Sequence, residues 1–201
     1  MNHILKSISF IFHPLLMPFF GVVFYFYKSP KYIPREIIYA KLFSIFILTI
    51  ALPILLYFLL KTLGWVKSIH LETTKERILP LMLNCIVIFL VIQRILSSNQ
   101  VIELYFFFLG ILISTLSCLI LAVFKFKASI HMIAVSGLLM FFIALSIHFS
   151  ININETLALM VILIGAIATS RLHLNAHSYI ELIMGLFIGF MPQLLLVSYW
   201  L

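Results

Sequence analysis

Seven apolar stretches run along the 201 residues, at about 4–26, 40–62, 79–97, 101–124, 131–149, 155–169 and 179–200, separated by short polar connections. A helix of roughly 20 residues, rising 1.5 Å per residue, crosses a hydrocarbon core of about 30 Å. Lipid satisfies no open backbone group, so each stretch is expected to be helical. The pattern predicts an all-α fold, a polytopic integral membrane bundle of six to seven transmembrane helices forming a single domain over 1–201. Two of those helices fall in 1–62. The sixth stretch is short, and is expected to pack inside the bundle or to be continued by polar residues of the next connection. His13, Pro14 and Pro18 lie within the first stretch and predict a kink. With no small-residue cleavage site, that stretch is expected to stay in the protein as a membrane segment.

Composition sharpens this picture. Hydrophobic residues make up 64% of the chain and charged residues 9%, against about 25% charged in ordinary soluble domains. The net charge of +7 fits connections facing anionic lipid, so the bilayer and not nucleic acid is the expected partner. All six acidic residues are Glu, and there is no Asp, which argues against lipid enzymes that hold Mg²⁺ on clustered aspartates. Cys85 and Cys118 lie in apolar stretches without CxxC spacing, so neither a metal site nor a disulfide is suggested, and no cofactor is implied.

Seven crossings put the second, fourth and sixth connections on one face, together with the N-terminus. That face gathers Lys67, His70, Glu72, Lys75, Glu76, Arg77, Lys125, Lys127, Ser129, His131, Ser170, Arg171, His173, Asn175 and His177, with Glu181 just beyond. The opposite face holds mainly Lys28, Lys31, Arg35 and Lys41. For Lys28, Lys31, Lys61 and Lys67 the expected role is helix anchoring at the interface. His148 and Arg94 are assigned to structure, and His13 to hydrogen-bonded packing.

Three clusters on the polar face carry candidate chemistry. In Ser170-Arg171-Leu172-His173-Leu174-Asn175-Ala176-His177, Glu181 follows His177 at i+4, a spacing that lets a carboxylate hold an imidazole when both lie on one helix face. Lys127-Ala128-Ser129-Ile130-His131 opens an apolar helix, where Ser129 can cap the helix and turn its first amides towards an anion. Glu72-Thr73-Thr74-Lys75-Glu76-Arg77 precedes the third stretch. Lys75 and Arg77 converge only if this segment departs from regular helix.

The first cluster resembles the SR-x5-H-x3-D signature of the type 2 phosphatidic acid phosphatase superfamily, with Glu181 in place of the Asp. The second is similar to that family's PSGH, with Ala128 for Pro and Ile130 for Gly. Arg77 matches the Arg of its K-x6-RP, but His70 stands where the Lys belongs. The resemblance covers about 70–201, and Phe12–Pro18 resembles the opening of phosphatase-like membrane proteins of the Bacteroidetes. It implies a metal-independent lipid phosphate or pyrophosphate phosphatase acting through a phosphohistidine. His177 would be the nucleophile, Glu181 its orienting group and His131 the general acid, with phosphate bound by Arg171, Ser129, Lys127, Arg77 and Lys75. It also implies a membrane lipid phosphate substrate and a bacterial inner membrane location with the site facing the periplasm.

The alternative is a catalytically inactive phosphatase-like scaffold or subunit of a larger membrane complex, with a membrane-protein partner. The departures at His70, Ala128, Ile130 and Glu181 are what that alternative expects. Gly185-x3-Gly189 and Gly165-Ala166-Ile167-Ala168 would allow close helix contacts, by default within the bundle. A serine protease built on Ser136, and a transporter with helices broken at Pro53 and Pro192, are weaker readings.

Overall fold

Apolar stretches of membrane length become helices because every backbone N–H and C=O in hydrocarbon must find its partner within its own segment. The computed structural model describes residues 2–65, 73–96 and 100–201, with side chains from residue 7 onward. Its helices are α1 (Asn2–Ile11), α2 (Met17–Lys28), α3 (Arg35–Phe46), α4 (Leu52–Thr62), α5 (Thr74–Arg94), α6 (Ile102–Val123), α7 (Ile130–His148), α8 (Asn154–His173) and α9 (Tyr179–Val197). Among the described residues seven helical segments are long and apolar enough to cross a membrane, α1 with α2 and α3 with α4 each forming one segment. Phe43, Leu55, Phe58, Ile162, Phe187 and Leu195 stand exposed on the outside, where only lipid leaves such side chains at ease. The chain is an integral membrane protein built as a helical bundle.

Proline chemistry explains the irregular turns. The expected kink is a full break: α1 stops at Ile11, His13 is extended, and Pro14–Leu16 forms a short 3₁₀ turn before α2. A wide π turn, Ile47–Ala51, precedes Pro53, which has no N–H to give to the preceding turn. Pro192 and Pro80, by contrast, sit within continuous helices, so a break at Pro192 is not found. The short sixth stretch is completed by its polar neighbours, since α8 continues through Ser170, Arg171 and His173.

Helix α7 is the centre of the bundle, with Val135, Leu138, Phe141, Ala144 and Leu145 buried. Helix α9 lies closest to it because Gly185 and Gly189 bring the two backbones together. A Cβ on Gly185 would stand 2.7 Å from the Ser129 carbonyl oxygen, and one on Gly189 would run into that of Ile133. Gly165 behaves differently, facing open space on α8, although Ile167 in the same run is fully buried in the core. Polar side chains fasten these helices by bonding to neighbouring backbone: Ser136 Oγ donates to Leu186 O at 3.0 Å, Ser114 Oγ to Ile188 O at 2.8 Å and Gln193 Nε2 to Phe107 O at 2.9 Å. Ser136 is thereby a packing residue.

The far end of the bundle is closed by a buried carboxylate. Glu103, fully buried in the first turn of α6, accepts hydrogen bonds from Tyr25 Oη at 2.9 Å and from Lys31 Nζ, and lies 3.1 Å from His148 Nε2. Lys31 and His148 are therefore partners of one specific acid, beyond the anchoring role expected for Lys31. Lys41, also buried, donates to Ile95 O at the end of α5 at 2.7 Å. Glu103→Ala would strand the Tyr25 hydroxyl and remove the anion that joins α2, α6 and α7. We expect a loss of about 1–3 kcal/mol, seen as a lower thermal midpoint in detergent, with Glu103→Gln recovering part of it.

Candidate functional site

At the opposite end, the connections before α7 and α9, the first turn of α5 and the N-terminal helix meet. Helix α8 ends in a Schellman turn: the Ala176 N–H donates to Arg171 O at 3.0 Å and the Asn175 N–H to Leu172 O at 2.9 Å. Asn175 takes the left-handed conformation this turn needs, with φ of 50°, which Asn tolerates better than most residues. The chain reverses there and delivers His177 to the start of α9.

His177 and Glu181 do not share a helix face, contrary to the expectation from their spacing. His177 precedes the helix, Ser178 caps it, and Glu181 reaches back from the third helical position in a capping box. Glu181 Oε2 accepts from the Ser178 N–H at 3.1 Å and stands 2.8 Å from His177 Nδ1. Because a carboxylate only accepts, Nδ1 carries the hydrogen and Nε2 of the neutral ring keeps its lone pair. The capping box also gives Glu181 a second task that suits its length. It is the residue type such boxes use.

Burial lowers the His177 pKa from 6.5 to about 4; Arg77 and Arg171 push the same way, while the Glu181 hydrogen bond and charge pull upward. The ring is therefore neutral at pH 7. Between about 4 and 6.5 the unfolded chain holds a proton that the folded one does not, so stability falls as pH drops through that window and is fully present above it. In histidine-labelled protein the His177 ring carbons are expected to titrate well below pH 6; a midpoint near 6.5 would show that the ring is not enclosed.

Helix α7 supplies the second group. Ser129 is its N-cap by position, in extended conformation, yet its side chain makes no capping bond. The Ser129 N–H donates to Glu181 O at 3.1 Å, and the hydroxyl is fully buried with no hydrogen-bond partner. The expectation that Ser129 caps the helix is thus corrected: its Oγ makes no hydrogen bond, and the first-turn amides of α7 have no acceptor within the helix. Lys127 Nζ donates to Ala176 O at 3.1 Å, tying this connection to the one before α9. His131, half-buried in the first turn of α7, lies within electrostatic reach of Arg171 and His177.

The cations arrive from α5 and α8. Arg77 is almost wholly buried and donates from Nη1 to Ala128 O at 2.8 Å, and Glu181 and Arg171 both act on its charge. Arg171 is 6% exposed, with Nε lacking a hydrogen-bond partner. Lys75 is not brought in. The segment is regular helix from Thr74, capped by Thr73, so Lys75 projects away and stays exposed while Arg77 turns inward. Lys67, His70 and Glu72 lie outside the described residues.

Two participants from the N-terminal segment were not foreseen. The Ser9 carbonyl stands 3.2 Å from His131 Nε2, and Ser9 Oγ lies 2.7 Å from Ser170 Oγ. The His13 ring meets that of His131 edge-on, with centroids 5.7 Å apart, while its Nδ1 accepts from the Leu15 N–H. The assignment of His13 to packing missed this contact with His131. The odd placement of His13 inside an apolar stretch was the available signal.

Taken together, the described residues gather at one end of the bundle two buried arginines, Arg77 and Arg171, two buried polar atoms without a hydrogen-bond partner, Arg171 Nε and Ser129 Oγ, and one carboxylate-held imidazole. Such a constellation suits a small, multiply charged anion. Comparison with family models, curated proteins and solved structures finds no match.

Proposed function

We propose that the protein is a metal-independent phosphatase of lipid phosphates or pyrophosphates, as the resemblance to the type 2 phosphatidic acid phosphatases implies. The observation that carries the reading is the His177–Glu181 contact, with Arg171 acting on the His177 ring and the Ser129 N–H bonded to Glu181 O, while Ser129 Oγ and Arg171 Nε are buried without hydrogen-bond partners. In this mechanism His177 Nε2 attacks phosphorus while Glu181 keeps the hydrogen on Nδ1 and steadies the ring. Arg171, Arg77, Lys127 and Ser129 hold the phosphoryl oxygens as charge develops on them. His131, protonated on both ring nitrogens, gives its Nε2 proton to the departing oxygen and is left as the neutral imidazole, so the alcohol or phosphate leaves neutralised at that oxygen. Water then attacks the phosphohistidine, giving a proton to the neutral His131 ring; the N–P bond breaks, phosphate departs, and His131 is again the acid. Lys75 has no part in this scheme.

The substrate class we infer is a polyprenyl or glycerolipid phosphate entering sideways from the bilayer. A shallow apolar cleft of about 300 Å³ between α2, α7 and α8 supports this, lined by Phe12, Phe20, Phe24, Leu138, Phe142 and Leu163 among others. Phe12, one of its lining residues, precedes His13 in the chain, and the His13 ring meets that of His131. The same reading puts the protein in a bacterial inner membrane with the site towards the periplasm.

A second reading, an inactive scaffold derived from such an enzyme, draws on the way Arg77 and Lys127 each spend a hydrogen bond on a backbone carbonyl. Phosphate release by detergent-purified protein, without added metal, separates the two. Turnover of at least one polyprenyl or glycerolipid phosphate is expected. Silence across the panel from well-folded protein would favour the scaffold and a membrane-protein partner.

A further inference from the structure

The structure gives the N-terminal helix a place in the site that nothing in the phosphatase scheme uses. A carbonyl oxygen only accepts, so the 3.2 Å contact between Ser9 O and His131 Nε2 commits the ring's Nε2–H to the backbone of α1. In the mechanism above that hydrogen belongs to the leaving group. While α1 stays in place, the Nε2–H of His131 is held by Ser9 O and is not available to a leaving group.

We infer that α1 is a lid, closed in this structure by the Ser9 contacts to His131 and Ser170, that opens by swinging about the break at His13 and Pro14. The backbone is suited to this. Among the helices α1 packs chiefly against α8, where Ser9 Oγ bonds Ser170 Oγ, the neighbour of Arg171. Between α1 and α2 the helical ladder is interrupted: His13 is extended with ψ of 139°, and Pro14 begins a separate 3₁₀ turn. Short segments of this kind absorb the dihedral changes of hinge motions. His13 sits at the pivot with its ring against His131, so the hinge and the occluded group are in contact. The inference rests on the phosphatase reading only for what the lid withholds; that α1 covers His131 stands on geometry alone.

The test uses full-length Ser9→Cys/Ser170→Cys protein in bilayer discs, oxidised with copper phenanthroline to join the two helices or kept reduced. Single Ser9→Cys protein controls for pairing with Cys85 or Cys118. Carbethoxylation of His131 by diethyl pyrocarbonate, mapped by mass spectrometry against exposed His173, reads the lid without reference to activity. We expect His131 to react several-fold more slowly in the joined protein, and phosphate release from the lipid phosphate panel to fall by about a hundredfold, the scale of a withheld general acid, returning on reduction. Equal His131 reactivity in both states, or undiminished turnover by the joined protein, would overturn the lid and make Ser9 a fixed positioning element. Protection of His131 with no turnover in either state supports the lid and overturns the phosphatase reading. Should the cysteines not pair, Ser9→Ala, which removes only the hydroxyl tie to Ser170, is expected to raise His131 reactivity, and no rise would overturn the proposal.

Discussion

His177→Ala is expected to reduce phosphate release by about 10³-fold or more while leaving the bundle folded. Removing a nucleophile takes away the covalent path, and what remains is binding and charge stabilisation alone. The fold should survive because His177 lies in the connection before α9, outside any helix, and its replacement leaves the Ser178–Glu181 capping box intact. Glu181→Gln should produce an intermediate loss, since the amide still has a carbonyl to offer Nδ1 but its NH₂ disturbs the cap. A scaffold predicts no such ordering. Thermal midpoints of the variants, measured in the same detergent, establish that activity and folding have been separated.

Gly189→Leu is expected to be the most destabilising single change in the bundle, at about 3 kcal/mol. Any Cβ at this position would run into the Ile133 carbonyl and the Ser136 hydroxyl, neither of which is the yielding tip of a long side chain. Helices α7 and α9 would have to separate. The consequence is functional as well, because α7 begins at Ser129 and His131 while α9 is preceded by His177. Gly165→Leu makes the contrast: nothing lies within 4 Å of a Cβ there, and a change within about 0.5 kcal/mol is expected. Thermal unfolding of the two variants side by side checks the difference, and equal behaviour would mean that the α7–α9 approach does not hold the bundle together.

The bundle was legible in the sequence because hydrocarbon imposes one solution on a long apolar stretch. Connection parity then placed Arg77, Ser129, Arg171 and His177 at one end. What parity could not provide was side-chain direction. Lys75 and Arg77 are two residues apart, and only the regular first turn of α5 sends one outward and one inward. The contact between His177 and Glu181 was expected for a helix-face reason and arises instead from a capping box, although Ser178-Tyr179-Ile180-Glu181 carried that signature in plain view. Ser129 was expected to cap α7 and leaves its hydroxyl unspent. Ser9 was beyond reach, because its partners lie more than a hundred residues away and a backbone carbonyl leaves no mark in the sequence, whereas His13 stood out inside its apolar stretch without showing that His131 was its neighbour. The Glu103 cluster belongs to the same category: one acid at the start of α6 shows nothing of Tyr25, Lys31 and His148 until the helices are assembled.

The most direct test of the account is to look for the phosphoryl group itself. Protein incubated with a turned-over lipid phosphate and quenched in alkali, which preserves the N–P bond, should carry one added phosphoryl group on His177 by peptide mass spectrometry. The adduct should be absent from His177→Ala and lost on acid treatment. Steady phosphate release from folded protein with no adduct at His177, or with the phosphoryl group on another residue, would contradict the account.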